Sequence, residues 1–256
     1  MPKRTLVFLL VLIAAASAQP RPLRPGAGRP APRDAALFQV STLDALLQGV
    51  YGASMTVGEL RRHGDFGLGT YEGVDGEMIL LDGRFYQVRF DGSVTEASAD
   101  TRTPFAAVTD FRADSRFTVK AASITQLGEL IDTVLPSKNL FYAIRVHGPF
   151  AVINTRSVAR QFLPYPPLAS VTATQALFTN SNIVGTAVGI RCPTYVSGVN
   201  QAGYHFHFLS DDRKAGGHAL SFTTGEVTVE VMTIRQHSVW LPGDEPFLKA
   251  TLPFQQ

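Results

Sequence analysis

The sequence predicts a mixed α/β fold, rich in β-strand, with two packed parts. Most apolar segments between residues 77 and 234 are short and alternate with polar residues, as half-buried strands do. Two stretches have apolar residues at helical spacing instead. A proline-rich segment at residues 164–167 lies between two runs of strands, and we expect it to act as a hinge.

The first 18 residues have the three-part pattern of a secretory signal peptide. Lys3-Arg4 precedes an apolar run over residues 6–16, and Ala16-Ser17-Ala18 forms an A-x-A cleavage site. The run is too short to cross a bilayer, which takes about 20 residues. The sequence therefore predicts an exported protein, periplasmic or secreted, without a membrane span after cleavage.

Residues 19–35 form a linker rich in proline and arginine, which buries little and stays extended. The whole chain has a basic pI because of the lysine and arginine residues in these first two segments. Residues 34–256 carry 17 Lys and Arg against 21 Asp and Glu, so their net charge is about −4. No basic stripe with interleaved aromatic residues is present, which argues against a nucleic-acid partner.

Local signals predict each element. Ser41 or Thr42 caps a helix over residues 42–47, and a second helix covers residues 123–135, before Pro136. Asp82-Gly83 is a strong hairpin turn. The predicted strands are residues 77–81, 85–90, 105–109, 117–120, 141–146, 183–190, 203–209, 218–222 and 227–234.

Histidine and aromatic residues alternate over residues 203–209, so a strand places His205 and His207 on one face. The polar segment 210–217 ends in two glycines and predicts a hairpin loop. If the loop is centred between Asp212 and Arg213, His207 faces His218 across the hairpin. The three imidazoles then converge with an open position, the layout of a catalytic zinc-type site.

Two other readings of these residues stay open, a hydrogen-bonded histidine cluster and a pH-sensitive surface. The other histidines have no second histidine at such a spacing, and we expect them to be structural or surface residues. They are His63, His147 and His237. Cys192, the single cysteine, excludes an internal disulfide, and we expect a packed thiol. The predicted domains are an N-terminal α/β domain (residues 36–162) and a C-terminal β-rich metal-binding domain (residues 163–256).

Six sequence blocks in one order resemble the α-acetolactate decarboxylase family. The resemblance runs from about Leu37 to Leu252. The His-x-His block together with Gly-Gly-His is its most specific part. The blocks are Gly64–Thr70, Asp75–Met78, Thr155–Val158, Pro164–Pro166, Gly203–Phe208 and Gly216–His218.

The resemblance implies a zinc enzyme, or one using another divalent metal, that converts 2-acetolactate, a 2-hydroxy-3-keto acid, to acetoin and carbon dioxide. It implies two α/β domains, each built on a β-sheet, and a homodimer. The metal ligands would be the three histidines of the hairpin. The further active-site residues would be Glu77, Arg156 and Thr70.

These residue types suit the chemistry. A divalent metal is a Lewis acid that stabilises the enediolate left by loss of carbon dioxide. Arg156 suits recognition of a carboxylate, and Glu77 would deliver or shuttle the proton. Thr70 would hydrogen-bond the substrate or Glu77. Relatives can add a Glu from a C-terminal tail, but no Glu follows Glu245 here, so we expect that contribution to be absent or replaced.

Two alternatives remain at this point. A cupin-like metal enzyme also carries His-x-His on a strand, but Asp211 occupies the place of its usual Glu and His218 comes too early. A non-catalytic exported binding module of the same fold would explain the lack of a tail Glu. Metal analysis and an acetoin assay distinguish these alternatives from a decarboxylase.

We predict cleavage after Ala18, because the charged start, the apolar run and the A-x-A site agree on that position. Mass spectrometry of the exported protein should find Gln19 at the N-terminus. A mature soluble product that keeps Met1 would contradict the prediction.

Overall fold

The structure is a computed structural model that describes residues 36–252. The predicted signal peptide (residues 1–18), the linker (residues 19–35) and the last four residues lie outside this range. Between residues 36 and 252, no helix has the length and apolar character needed to cross a membrane.

Most of the described chain is β-strand, as predicted. Each predicted strand overlaps an observed one, although β10 and β11 are much longer than expected. The strands are β1 Ala36–Val40, β2 Met55–Thr56, β3 Phe66–Thr70, β4 Glu77–Leu81, β5 Arg84–Val88, β6 Val94–Glu96, β7 Arg102–Thr103, β8 Ala106–Thr109, β9 Ser115–Val119, β10 Phe141–Ser157, β11 Ala176–Cys192, β12 Gly203–Ser210, β13 Gly216–Thr224, β14 Val227–Ile234 and β15 Gln236–Trp240.

The helices are short, and both predicted ones are confirmed. Thr42 accepts a hydrogen bond from the Ala45 amide at 3.2 Å, and Ser123 accepts one from the Gln126 amide at 3.0 Å, so each helix begins at a side-chain cap. The second helix ends before the predicted Leu135. The helices are α1 Leu43–Leu47, α2 Val57–Leu60, α3 Ile124–Asp132, α4 Leu168–Thr172 and α5 Glu245–Lys249.

Two main sheets carry the fold. The first has the strand order β15-β1-β8-β3-β4-β5-β6, and the second has the order β11-β12-β13-β10-β14-β9. In the second sheet β10 also pairs with β11. The strands β10, β11, β12 and β13 therefore form a closed ring of hydrogen-bonded neighbours. This mixed, β-rich architecture confirms the predicted fold class.

The two sheets do not divide at the predicted domain boundary between residues 162 and 163. Strands β9 and β10 precede that point but belong to the second sheet, and β15 follows it but pairs with β1 of the first. The proline-rich segment lies in the connection between β10 and α4. Local sequence signals could not show this exchange, because it depends on pairing between distant segments.

The largest core cluster lies between the sheets. Alternation on β4 turns Ile79 and Leu81 toward it, and alternation on β12 turns Leu209 toward it. Glu77 lies two positions before Ile79 on β4, and His207 and His205 lie two and four positions before Leu209 on β12. The same alternation therefore turns these three residues toward the interface between the sheets.

The opposite face of β12 packs into a second core cluster. Phe206 and Phe208 lie there with Phe222 of β13 and with Leu127 of α3. Phe206 is paired across the strands with Gly189 of β11. The absence of a side chain at Gly189 leaves the space that the ring of Phe206 occupies.

We predict that Gly189→Ala destabilises the protein by about 1–3 kcal/mol, the usual cost of adding a methyl group to a packed core. A Cβ at this position would lie 2.2 Å from the buried Phe206 ring. Urea unfolding measures the effect. Gly243→Ala is the control, because nothing lies within 4 Å of its Cβ position. Equal unfolding free energies for the two variants would contradict this packing.

Candidate metal centre and active site

The hairpin of β12 and β13 brings three histidines together. His207 pairs with His218 in the observed register, as predicted. Nε2 of His205 lies 3.2 Å from Nε2 of His207 and 3.1 Å from Nδ1 of His218, and the last two atoms are 3.3 Å apart. Nitrogens bound to one tetrahedral zinc ion at its usual bond length would be roughly 3.3 Å apart. The triad can therefore hold a metal ion.

The outer nitrogen of His207 also suits this role. Nδ1 of His207 donates a hydrogen bond to the Met78 carbonyl oxygen at 2.8 Å, which leaves Nε2 free to act as a ligand. Nδ1 of His205 is buried without a hydrogen-bond partner among residues 36–252. Two of the three inward nitrogens are Nε2, and His218 presents Nδ1.

Burial keeps the three imidazoles neutral. It lowers the pKa of His205 to about 4, and the positive charge of Arg156 acts in the same direction. Burial and the neighbouring imidazoles hold the pKa of His207 and of His218 well below the usual range. A metal ligand must offer an unprotonated nitrogen, so these shifts prepare the triad for a cation.

Glu77 lies beside the triad at the start of β4. Its Oε2 is 3.5 Å from Nε2 of His207. Burial raises the pKa of Glu77 to about 7, while the Arg156 charge opposes this rise, and a metal cation would oppose it too. The preceding Gly76 has φ +79°, and a Cβ there would lie 2.1 Å from the Val88 carbonyl oxygen. Glycine is therefore required for the turn that aims Glu77 at the centre.

Thr70 and Glu77 are paired in the register of β3 and β4. The Thr70 hydroxyl donates to the Gly76 carbonyl oxygen at 2.7 Å. The proton of the Thr70 hydroxyl is therefore engaged by the backbone, and the oxygen of that hydroxyl can act only as an acceptor toward other groups. Its oxygen lines the cavity and can still accept a hydrogen bond from a ligand.

Arg156 lies on β10 opposite His218 of β13. It is half-buried and lines the same cavity as the triad, Glu77 and Thr70. Its guanidinium makes no hydrogen bond or ion pair within the part of the chain that the structure describes. An unpaired guanidinium in a partly closed cavity favours binding of an anion.

The cavity has a volume of about 430 Å³. Its floor is polar and consists of the six residues proposed from the sequence, which the fold brings together from β3, β4, β10, β12 and β13. Its walls are apolar and come mainly from α1, α4 and neighbouring loops. No sequence pattern marked these wall residues, because apolar residues in a short helix look the same whether they line a cavity or a core.

The other three histidines and the cysteine do not line this cavity. His63 stacks on Phe38 with ring centroids 3.6 Å apart, His147 lies 3.2 Å from an Asp211 carboxylate oxygen, and His237 lies 3.0 Å from the Gln39 side-chain oxygen. Cys192 is buried, and burial raises its thiol pKa to about 12. That thiol is a packing group and not a nucleophile.

Comparison with known proteins gives one family. The model of the alpha-acetolactate decarboxylase family matches residues 37–253. The alpha-acetolactate decarboxylase of Methanosarcina mazei is 45% identical over 84% of this chain and 75% of its own length. That of Methylococcus capsulatus is 44% identical over 87% of this chain and 86% of its own length.

A solved structure agrees with the sequence relatives. The alpha-acetolactate decarboxylase of Bacillus subtilis strain 168 superposes with a TM-score of 0.83 at 38% identity, covering 85% of this chain and 93% of that chain. This agreement favours the family over the cupin-like alternative. The chain belongs to the alpha-acetolactate decarboxylase family and is an enzyme of the carboxy-lyase class.

Proposed function

We propose that this protein decarboxylates 2-acetolactate to acetoin and carbon dioxide with a divalent metal, preferentially zinc, held by His205, His207 and His218. The observation that carries the proposal is the convergence of an unpaired guanidinium and a buried carboxyl group on a triad of neutral imidazoles. Three imidazoles with an open position are typical of catalytic zinc, although they accept other divalent ions.

A divalent metal in the triad supplies Lewis acidity, which stabilises the negative charge that develops on the substrate oxygens. Arg156 binds the substrate carboxylate and orients the bond that is to break. Thr70 accepts a hydrogen bond from the substrate hydroxyl, because its own proton is held by the Gly76 carbonyl. The three contacts fix the substrate on the cavity floor.

The bond between C1 and C2 then breaks, and carbon dioxide leaves. The electron pair moves to the ketone oxygen, so that an enediolate forms. Glu77 donates its proton to C2, which gives acetoin, and solvent restores the proton to the carboxyl group. Burial favours this role because it raises the Glu77 pKa, against the opposing charge of Arg156.

Two further proposals concern the protein as a whole. We propose a homodimer, which the family resemblance implies, and light scattering of the mature protein would give its mass. We also propose export to the periplasm or the medium, based on the signal-peptide pattern of residues 1–18. Activity measured in separated cell fractions tests the location.

We predict that His207→Ala loses bound metal and activity together, because it removes one of the three ligands. The fold should survive, since an open catalytic site contributes less to folding than a closed structural one. Elemental analysis and an acetoin assay measure both quantities. His147→Ala is the control and should keep both. Stoichiometric metal in His207→Ala would place the site elsewhere.

We predict that Glu77→Gln lowers kcat by about 10²–10⁴-fold, the usual contribution of a general acid or base. Glutamine is nearly isosteric, so metal content should not change, but its amide cannot deliver a proton. The residual acetoin should drift toward a racemate, because water then protonates C2 from either side. Chiral chromatography of the product measures this.

Glu96→Gln is the matched control for that experiment, because Glu96 is an exposed carboxylate on β6 and does not line the cavity. It should retain the rate and the handedness of the wild type. If Glu77→Gln also retained both, the assignment would be wrong, and Glu245 would be the next carboxylate to examine.

A further inference from the structure

The two residues beside Arg156 on β10 are fully buried hydroxyls. Thr155 and Ser157 have no exposed surface, and neither lines the cavity. Arg156 itself makes no hydrogen bond or ion pair in the range 36–252 that the structure covers, so the backbone of β10 sets where its guanidinium lies. A buried hydroxyl lowers stability unless it is hydrogen-bonded. The partners of these two hydroxyls therefore show what holds this part of β10 in place.

Thr155 ties β10 to the hairpin that carries the triad. Its hydroxyl donates to the Gly216 carbonyl oxygen at 2.8 Å. Gly216 begins β13, two residues before His218, which is paired with Arg156. The pairing of β10 with β13 shifts register just before Thr155, and the ladder of hydrogen bonds is disrupted at such a shift. The side-chain bond therefore restrains Arg156 against His218 where the backbone ladder is weakest.

Ser157 ties the same strand to the other sheet. Its hydroxyl donates to the Val88 carbonyl oxygen at 2.8 Å. Val88 belongs to β5 of the first sheet, whereas Ser157 ends β10 of the second, so this bond crosses between the sheets. Val88 is also the residue paired with Glu77 in the register of β4 and β5. The Ser157 hydroxyl therefore restrains Arg156 against the strand pair that carries Glu77.

We infer that Thr155 and Ser157 are positioning residues that hold the Arg156 guanidinium in a fixed place relative to His218 and Glu77. The assignment rests on the proposed function and adds to it two residues that act on the substrate only through Arg156. Alternation along β10 turns both hydroxyls to the face opposite Arg156, so neither touches the substrate. A guanidinium without contacts of its own needs such support, because binding groups act well only when surrounding hydrogen bonds hold them in place.

Two probes that differ in the carboxylate test the assignment without catalysis. The first is 2-hydroxy-2-methylpropanoate, which has a carboxylate, and the second is acetoin, the proposed product, which has none. Isothermal titration of the zinc-loaded protein measures both affinities. Thr155→Val and Ser157→Ala should each weaken the carboxylate probe about 10-fold, part of the value of a hydrogen bond to a charged group, and change acetoin binding less than about 2-fold. Equal weakening of both probes, or of neither, would overturn the inference.

A conservative variant distinguishes the hydrogen bond from packing. Thr155→Ser keeps the hydroxyl and removes the methyl group, so it should bind both probes as the wild type does, even where stability falls. Loss of the carboxylate probe in Thr155→Ser but not in Thr155→Val would mean that Thr155 acts by packing, against the inference. Thr155→Ser and Ser157→Ala each decide the question separately, so one variant that does not fold leaves the test intact.

Thr109→Val is the matched control. The Thr109 hydroxyl is also fully buried and donates to a backbone carbonyl oxygen, that of Ala36, at 2.7 Å. Thr109 does not line the cavity. This variant should lose stability, as Thr155→Val does, but it should keep the wild-type affinity for both probes. A weaker carboxylate probe in Thr109→Val would show that any lost buried hydroxyl has this effect.

A double-mutant cycle shows whether Thr155 acts through Arg156. In an Arg156→Gln background the guanidinium is absent, so adding Thr155→Val should not weaken the carboxylate probe further. The same probe, protein preparation and titration apply to all four members of the cycle. A loss in the double variant equal to the sum of the two single losses would contradict the inference.

Kinetics separates this inference from the proposed function. In Thr155→Val and Ser157→Ala, KM for acetolactate should rise about 10-fold while kcat falls less, because the carboxylate contact already exists in the bound substrate. If the wild type releases no acetoin but the variants still lose only the carboxylate probe, the proposed function fails and the positioning role stands. If acetoin is released and the variants bind both probes normally, the positioning role fails and the proposed function stands.

Discussion

The hydrogen bond from Nδ1 of His207 to the Met78 carbonyl oxygen joins the two sheets at the site, and the chemistry depends on it. It sets the tautomer of His207 and holds β12 against β4. Because Met78 immediately follows Glu77, the same contact places the Glu77 carboxyl beside the triad. The inter-sheet core of Ile79, Leu81 and Leu209 continues the same faces of the two strands and holds this geometry rigid.

Burial gives the floor its electrostatic character. Desolvation favours neutral forms of His205, His207, His218 and Glu77, while Arg156 keeps its charge and has no counter-ion in the described chain. A metal cation would add to this positive charge. Such a site favours an anionic substrate, and the charge that develops during decarboxylation stays close to the groups that stabilise it.

Two glycines let the strands approach closely enough for this arrangement. A Cβ at Gly217 would lie 2.5 Å from the Arg156 carbonyl oxygen, and one at Gly76 would lie 2.1 Å from the Val88 carbonyl oxygen. Both have positive φ, +129° and +79°. Gly217 immediately precedes His218, and Gly76 immediately precedes Glu77. The backbone conformation that glycine allows at these two positions therefore places the next side chain in the site.

The sequence alone determined the features that arise from local geometry. Alternation and a short hairpin loop bring His205, His207 and His218 together, and side-chain caps begin α1 and α3, because the interacting residues lie close together along the chain. Glu77, Arg156 and Thr70 were identifiable by resemblance but not from their local patterns. Only the tertiary structure decided the exchange of β9, β10 and β15 between the sheets and the apolar wall beside the floor. Both depend on contacts between segments that are distant in the sequence. Hydrophobic periodicity and secondary-structure propensity show which face of an element is buried, but not which other face it packs against.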